Sequence, residues 1–152
     1  MSAKAVQLRL PALLKAAARA RGNAYAPYSG FQVGAAVLSG GRIFAAGNLE
    51  VSAYPLSVCA ERNAVAMAVA AGRRRIEAVA VVGGAGKPAA PCGGCRQVLA
   101  EFAEPQVPIV YASDGRGAGR ITTTIGALLP DAFGPANLAE RTAGPKARRR
   151  SR

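Results

Sequence analysis

Three cysteines and one glutamate form the spacing pattern with the clearest chemical meaning in this sequence. Cys59 and Glu61 are separated by one residue, and Cys92 and Cys95 by two. Thiolates bind zinc, and a catalytic zinc site takes three protein ligands and leaves the fourth position for water. A carboxyl group two residues from a ligand can approach the metal without binding it. We therefore predict that the three cysteines hold one Zn²⁺ ion and that Glu61 carries protons from water to a substrate nitrogen.

The charge of such a site needs compensation. Three thiolates and one Zn²⁺ leave a net negative charge, which hinders the ionisation of water at the metal. Both motifs lie at predicted helix starts, where each helix dipole supplies roughly half a positive charge. Arg62 and Arg96 directly follow the motifs and could donate hydrogen bonds to the sulfurs. Of the two, we expect Arg62 to take this supporting role.

The composition of the chain excludes several kinds of catalytic site and several classes of protein. Its 152 residues contain no histidine, which excludes Ser-His-Asp and Cys-His catalysis and any zinc site that needs imidazole. An odd number of cysteines argues against a closed set of disulfides and favours a reducing compartment. No segment approaches the roughly 20 apolar residues of a membrane span, and the first residues lack a secretory pattern. We therefore expect a soluble, cytoplasmic protein with no membrane partner.

Each residue of the pattern also has an ordinary structural interpretation. The pair Cys92 and Cys95 is typical of redox centres and of half a structural zinc site, but a structural site needs a fourth cysteine or histidine that this chain lacks. Cys59 alone could be a buried core cysteine. Glu61 could cap its helix or pair with Arg62. The combined pattern favours a catalytic site over these interpretations.

Hydrophobic periodicity predicts the elements that position the two motifs. Helices are predicted over residues 4–21, 58–71 and 92–102, with Ser57 as the N-cap of the second and a helical turn at 125–129. Strands are predicted over residues 31–38, 43–47, 76–82, 107–111 and 120–123; a tight hairpin joins the first two, and a Gly-rich turn precedes the last. The first turns of two helices can therefore point three sulfurs at one place.

This order of elements predicts an α/β fold, a three-layer α/β/α sandwich with a central five-stranded mixed sheet. Residues 1–137 are predicted to form a single domain and residues 138–152 a basic tail, with disorder from Gly134 onward. The net charge of +12 is concentrated at the chain ends, and the last 15 residues hold six basic residues and one acidic residue. A short basic tail is usually a solvated end, and 4 Tyr, 4 Phe and no Trp offer little stacking surface for nucleobases. These features argue against a nucleic-acid partner.

Five ordered segments resemble the small homotetrameric cytidine deaminases. They span about residues 24–134 and comprise 26–36 (APYSGFQVGAA), 48–50 (NLE), 58–62 (VCAER), 91–99 (PCGGCRQVL) and 128–133 (LLPDAF). A cysteine followed two residues later by glutamate, and then Pro-Cys-x-x-Cys, is the zinc deaminase pattern. The resemblance implies one Zn²⁺ per subunit and hydrolytic deamination of cytidine or deoxycytidine to uridine or deoxyuridine and ammonia. It also implies a role in pyrimidine salvage and a homotetramer with shared active sites.

The resemblance implies further site residues outside the zinc motif. Asn48 and Glu50 would bind the sugar hydroxyls of a pyrimidine nucleoside, and Phe31 would line the base pocket. Backbone groups at Ala60 and near residues 91–92 would read the pyrimidine edge. Phe133 would reach the active site of a neighbouring subunit and stack on the base.

One segment departs from the family, and it leaves the substrate open. After the sugar-binding pair the family usually continues Asn-Ala-Ser-Tyr, whereas residues 51–54 read Val-Ser-Ala-Tyr. A modified cytidine or an antibiotic nucleoside of the blasticidin S type is therefore an alternative substrate, although blasticidin S deaminases generally lack the pair of Asn48 and Glu50. Two other hypotheses are a catalytically inactive, zinc-stabilised RNA-binding protein and a deaminase of nucleic acid. The small size and few aromatic residues argue against the last.

Overall fold

A computed structural model describes residues 2–114 and 119–139 of the chain. In chain order the elements are α1 (Ala3–Gln7), α2 (Leu10–Arg21), β1 (Val33–Ser39), β2 (Arg42–Gly47), a 3-10 turn (Tyr54–Leu56), α3 (Ala60–Ala70), β3 (Ala78–Gly83), α4 (Gly93–Phe102), β4 (Pro108–Ala112), β5 (Arg120–Thr124), α5 (Ile125–Leu128) and α6 (Pro135–Ala139). The predicted Gly-rich turn falls mainly on residues 115–118 and the predicted basic tail mainly on 140–152. Both of these segments lie outside the described residues.

The strands form one five-stranded mixed sheet in the order β2-β1-β3-β4-β5. β1 pairs antiparallel with both β2 and β3, β3 pairs parallel with β4, and β4 pairs antiparallel with β5. The β1–β2 hairpin turns through Gly40 and Gly41, which both have positive φ, a conformation that glycine adopts without steric cost. The parallel β3–β4 pair needs a crossover, and α4 supplies it. The predicted mixed sheet is confirmed.

Helices cover both faces of the sheet because the central strands are apolar on both sides. On one face, Leu10, Leu13 and Ala17 of α2 pack with Val6 of α1 against sheet residues that include Ala36, Leu38, Ala80 and Val110. On the other face, Ala64 of α3 and Leu99 of α4 pack against residues that include Val37, Val79, Val81 and Ile109. The predicted three-layer α/β/α sandwich is confirmed, and it places α3 and α4 side by side on one face.

Three local predictions were wrong. The single helix over residues 4–21 is two helices, because Pro11 in the first turn of α2 has no N–H to bond back towards α1. Ser57 does not cap α3; Cys59 occupies the N-cap position, and Ser57 Oγ accepts a hydrogen bond from Val51 N–H at 3.1 Å. Disorder was expected from Gly134 onward, but Pro135–Ala139 forms α6.

The helices in the described part of this fold are short. Across residues 2–114 and 119–139, none combines the length and the apolar character that crossing a membrane demands. The longest of them, α2, has 12 residues and carries basic side chains in its last turn.

Candidate active site

Three cysteine sulfurs converge where α3 and α4 begin. Cys59 is the N-cap residue of α3, Cys92 is the N-cap residue of α4, and Cys95 lies in the first turn of α4. Their Sγ atoms all lie within 4.8 Å of one another, and the Sγ atoms of Cys59 and Cys92 are 4.0 Å apart. Tetrahedral zinc with Zn–S bonds of about 2.3 Å separates two thiolate sulfurs by about 3.8 Å. The three sulfurs are therefore spaced to hold one zinc ion after small adjustments.

The set of donors fits a catalytic zinc site. Within the described parts of the chain, the cluster of possible ligands consists of these three cysteines, with no fourth thiol, imidazole or carboxylate. All three cysteines are free. A structural zinc site is normally closed by four protein ligands, whereas three leave one position to water or substrate. The geometry therefore provides an open coordination position at this point of the fold.

Hydrogen bonds and a nearby cation favour the thiolate form of Cys59. The Cys95 thiol donates a hydrogen bond to the Cys59 sulfur, which is the main reason that the pKa of Cys59 falls to about 5; Cys92 and Arg62 also lower it. The same contact raises the pKa of Cys95, since its thiol is the donor. Arg62 Nη2 additionally donates to the Ser57 carbonyl at 3.1 Å, which fixes the guanidinium next to the site. Arg62 is thus placed to offset thiolate charge.

Arg96 has a different environment. Its Nε donates to the Pro91 carbonyl at 2.8 Å, and its Nη1 donates to the Leu128 carbonyl at 2.9 Å. These bonds tie the loop before Cys92 to the end of α5. The guanidinium therefore holds the backbone in place, and within the described residues its hydrogen bonds go to carbonyl oxygens and not to sulfur.

Glu61 lies in the first turn of α3, and its side chain is almost fully enclosed. The residue is only 4% exposed. Burial raises the pKa of its carboxyl group, and the negative charge of Cys59 adds to the effect. The Cys95 thiol is within hydrogen-bonding reach of this carboxyl group. A carboxyl group with a raised pKa beside three sulfurs is suited to accepting and returning a proton.

A cavity of about 200 Å³ opens onto these groups. The predicted site residues Phe31, Asn48, Glu50, Ala60 and Glu61 all line it, together with the sulfur ligands Cys59 and Cys92. Cys95 is buried behind this wall. One cavity is therefore lined by residues from the segment before β1, the segment after β2, and the starts of α3 and α4.

The amide of Asn48 shapes the wall of this cavity. Its Oδ1 accepts from Val33 N–H at 2.9 Å, and its Nδ2 donates to the Phe31 carbonyl at 3.0 Å. An amide has two N–H donors and two acceptor sites on its oxygen, so one of each is left. Asn48 can therefore contact a ligand while it holds the segment that leads from Phe31 into β1.

Other lining residues were not singled out from the sequence. They are Ser29, Val33, Val81, Ala89 and Ala90. Ser29 and Val33 belong to a motif segment, 26–36, which was the signal available for them. Val33 and Val81 are strand residues whose apolar character looks like that of any core position. The other two are small residues in a loop, and their types carry no chemical signal.

Phe133 does not line this cavity. Its side chain is 59% exposed, and it borders a different cavity together with Ala132 and Gly134. Gln97 Nε2 donates to its carbonyl oxygen at 2.7 Å, which fixes the backbone there. Its contact with a neighbouring subunit stays a prediction.

The layered fold, the open set of three sulfurs and the buried carboxyl group define a zinc-dependent hydrolytic enzyme. The family model for the cytidine and deoxycytidylate deaminase zinc-binding region matches residues 9–111. The chain therefore belongs to the cytidine and deoxycytidylate deaminase family, as the motif resemblance predicted.

Individual relatives agree with this assignment. The chain is 44% identical over 128 residues to a cytidine deaminase of Sporosarcina psychrophila, covering 84% of this chain and 93% of the relative. It is 45% identical over 122 residues to a cytidine deaminase of Halalkalibacterium halodurans, covering 80% and 91%. Among solved structures, a 1.6 Å crystal structure of cytidine deaminase from Burkholderia pseudomallei matches with a TM-score of 0.77 and 46% identity, covering 82% of this chain and 98% of that one.

Proposed function

We propose that this protein catalyses the zinc-dependent hydrolytic deamination of cytidine and deoxycytidine to uridine and deoxyuridine, with release of ammonia. One observation carries the proposal: two sulfurs of the zinc site, the buried Glu61 carboxyl group and the polar pair Asn48 and Glu50 face the same cavity. The cytidine deaminases to which the chain is similar support the choice of substrate.

The reaction exchanges the amino group at C4 of the base for oxygen from water. Bound zinc would supply a Lewis acid beside which water ionises near neutral pH. Glu61 accepts one proton from the attacking water and delivers it to N3 of the base. It then takes the second proton, from the new hydroxyl group at C4, and delivers it to the amino group, which leaves as ammonia. Burial raises the pKa of Glu61, so the carboxyl group can hold the proton between these steps. The atoms balance as cytidine and water forming uridine and ammonia.

The remaining lining residues orient the nucleoside. Phe31, Val33 and Val81 give the cavity an apolar wall against which a flat base can lie. Ala60, at the start of α3, lines the same cavity, and its backbone would read the edge of the pyrimidine. Asn48 and Glu50, in the segment between β2 and α3, would bind the sugar hydroxyls.

From the family resemblance we also infer the domain organisation, the oligomeric state, the compartment and the pathway in which this activity serves. A single domain over residues 1–137 with a basic tail over 138–152 would assemble into a homotetramer and act in cytoplasmic pyrimidine salvage. The exposed Phe133 ring, which is absent from the cavity of its own subunit, supports a shared site. In the tetramer this ring would stack on the base held by a neighbour.

A modified cytidine or a nucleoside of the blasticidin S type is the second candidate substrate. The segment that departs from the family contributes Tyr54 and Ser57 to a second cavity, and this cavity shares Ser29 and Glu50 with the first. A change in this segment therefore borders the proposed sugar site. The zinc chemistry is the same for both candidates.

The deciding experiment is release of ammonia from a panel of cytidine, deoxycytidine, N4-substituted cytidines, blasticidin S and adenosine, with zinc measured on the same sample. We expect cytidine and deoxycytidine to give the highest kcat/KM with about one zinc per subunit. A preference for blasticidin S would select the second candidate. Zinc-loaded protein that releases no ammonia from any compound, but binds RNA, would contradict the proposed function. Competition between cytidine and a short single strand separates a nucleoside enzyme from one that acts on nucleic acid.

A further inference from the structure

We propose that Ser29 is a positioning residue for the sugar of the substrate: it holds the Glu50 carboxylate in the orientation in which that group accepts hydrogen bonds from sugar hydroxyls. The inference rests on the proposed function, since it takes Glu50 as the sugar-binding group. It adds a residue whose side chain acts through Glu50 and not through direct chemistry at the base.

The contacts of Glu50 show how closely the turn at residues 28–31 holds it. Its Oε2 accepts hydrogen bonds from the backbone N–H groups of Tyr28 and Ser29, both at 3.1 Å. Its Oε1 accepts from the Ser29 hydroxyl group. The Ser29 oxygen in turn accepts from Phe31 N–H at 3.0 Å. Because Phe31 occupies the acceptor side of the hydroxyl group, the Ser29 proton is directed towards Glu50.

The electrostatic surroundings of Glu50 make these donors important. Glu50 lines two cavities. The other titratable groups are Cys59, Glu61 and Cys92 in the first cavity, and Tyr28 and Tyr54 in the second. No Lys or Arg is among the described residues that line either cavity. An anionic group without a nearby cation depends on N–H and O–H donors for its stability. The Ser29 hydroxyl group is the largest cause of the lowered pKa of Glu50, followed by the backbone N–H of Ser29.

Orientation matters because the Glu50 side chain faces open space. Glutamate has several rotatable bonds, and an unrestrained carboxylate would sample many positions between the two cavities. A binding group fixed before the ligand arrives loses less conformational freedom on binding. Ser29 therefore contributes to substrate binding by presenting one acceptor geometry to the sugar, while the base and the zinc site are contacted by other residues.

The test compares Ser29→Ala with Ser29→Thr, which retains the hydroxyl group, on two nucleosides. For cytidine, Ser29→Ala should raise KM roughly fivefold with little change in kcat, and Ser29→Thr should restore much of the loss. For 2′,3′-dideoxycytidine, which lacks the relevant hydroxyls, Ser29→Ala should leave KM within about twofold of wild type. In a Glu50→Gln background, Ser29→Ala should add little to the KM for cytidine, because both changes remove one interaction.

A pH profile separates this role from a general structural one. Loss of Ser29 returns the Glu50 pKa towards its usual value, so as the pH is lowered the KM of Ser29→Ala should rise at a higher pH than that of wild type. Zinc content and melting temperature are measured in each sample. Equal losses for cytidine and the dideoxy analogue, or an unchanged KM for cytidine, would overturn the inference. A wild-type protein that deaminates no nucleoside would instead overturn the proposed function, and the inference with it.

Discussion

The position of Glu61 is explained by chemistry and not by stability. Burying a carboxyl group without a salt bridge destabilises a protein, and the side chain of Glu61 forms none within the described residues. Its pKa is raised because it has left water. The fold therefore places a carboxyl group that can hold a proton beside the three cysteine sulfurs.

Removing the carboxyl function of Glu61 should abolish turnover and leave the metal in place. We expect Glu61→Gln to lower kcat by about 10²- to 10⁴-fold, the usual contribution of a general acid–base. Zinc content should stay at about one ion per subunit, since Glu61 is not among the clustered ligands. Ammonia release and metal analysis on one preparation measure both quantities.

Glu101→Gln is the matched control, because Glu101 is an exposed glutamate on α4 that does not line the cavity. Its turnover should equal that of wild type. If Glu61→Gln kept more than about a tenth of wild-type kcat, the assignment of Glu61 as proton carrier would be refuted.

At the scale of single residues, the sequence reveals those whose types are rare and chemically specific. Three cysteines and one glutamate at fixed spacing were sufficient to predict the zinc cluster and the carboxyl group beside it. Ser29 and Val81 could not be found in the same way, because a serine in a turn and a valine in a strand have many ordinary uses. Only the fold shows that they face the cavity that contains Glu61.

Among the elements, hydrophobic periodicity located all five strands to within a residue or two, but apart from the β1–β2 hairpin it could not show which strands pair. The paired residues of the parallel strands β3 and β4, such as Val79 and Ile109, are 30 positions apart in the chain, and periodicity carries no information on such partners. The first residue of a helix was harder to predict than the position of a strand, for a different reason. Ser57 is a good N-cap type, yet its hydroxyl group serves Val51 N–H in the preceding loop, so α3 begins after Cys59.

The packing of α4 on the sheet should be sensitive to Leu99, which lies one helical turn after Cys95 and is 1% exposed. Leu99→Ala removes buried methyl groups and leaves a cavity, so we expect it to lower the free energy of unfolding by about 2–5 kcal/mol. Urea denaturation of the zinc-loaded protein gives this value. Leu8, which is 73% exposed, provides the control, and Leu8→Ala should change stability by less than about 0.5 kcal/mol. Equal effects of the two changes would show that α4 does not depend on this contact.

For the molecule as a whole, zinc binding should be coupled to stability. A ligand that binds only the folded state stabilises it by about 2.7 kcal/mol at a free concentration 100 times its Kd. Removing zinc with a chelator should therefore lower the melting temperature, and returning zinc should restore it. Cys92→Ser should abolish most of this dependence, because it removes one of the three sulfurs. A melting temperature that is the same with and without zinc would contradict metal binding at the cluster.

The proposed shared active site leads to a test by subunit mixing. Phe133→Ala should lower kcat/KM by roughly tenfold if the ring stacks on a neighbour's substrate. When this variant is unfolded and refolded with an equal amount of Glu61→Gln, about a quarter of all sites should combine an intact Glu61 with an intact Phe133, so activity should exceed that of either variant alone. Simple averaging of the two activities would show that each subunit works by itself.

Cys59 and Cys92 are 33 positions apart in the chain, and their sulfurs meet at the starts of two helices on opposite sides of β3 in sequence. A shared ion at that point joins them as a cross-link, and closing so long a loop restricts the unfolded chain much as a disulfide does. Unlike a disulfide, this link needs no oxidant and can exist where thiols stay reduced. The rigidity of the α3–α4 layer would then follow the supply of zinc and not the redox state of the surroundings, so zinc starvation would remove the catalyst and loosen the fold in a single event.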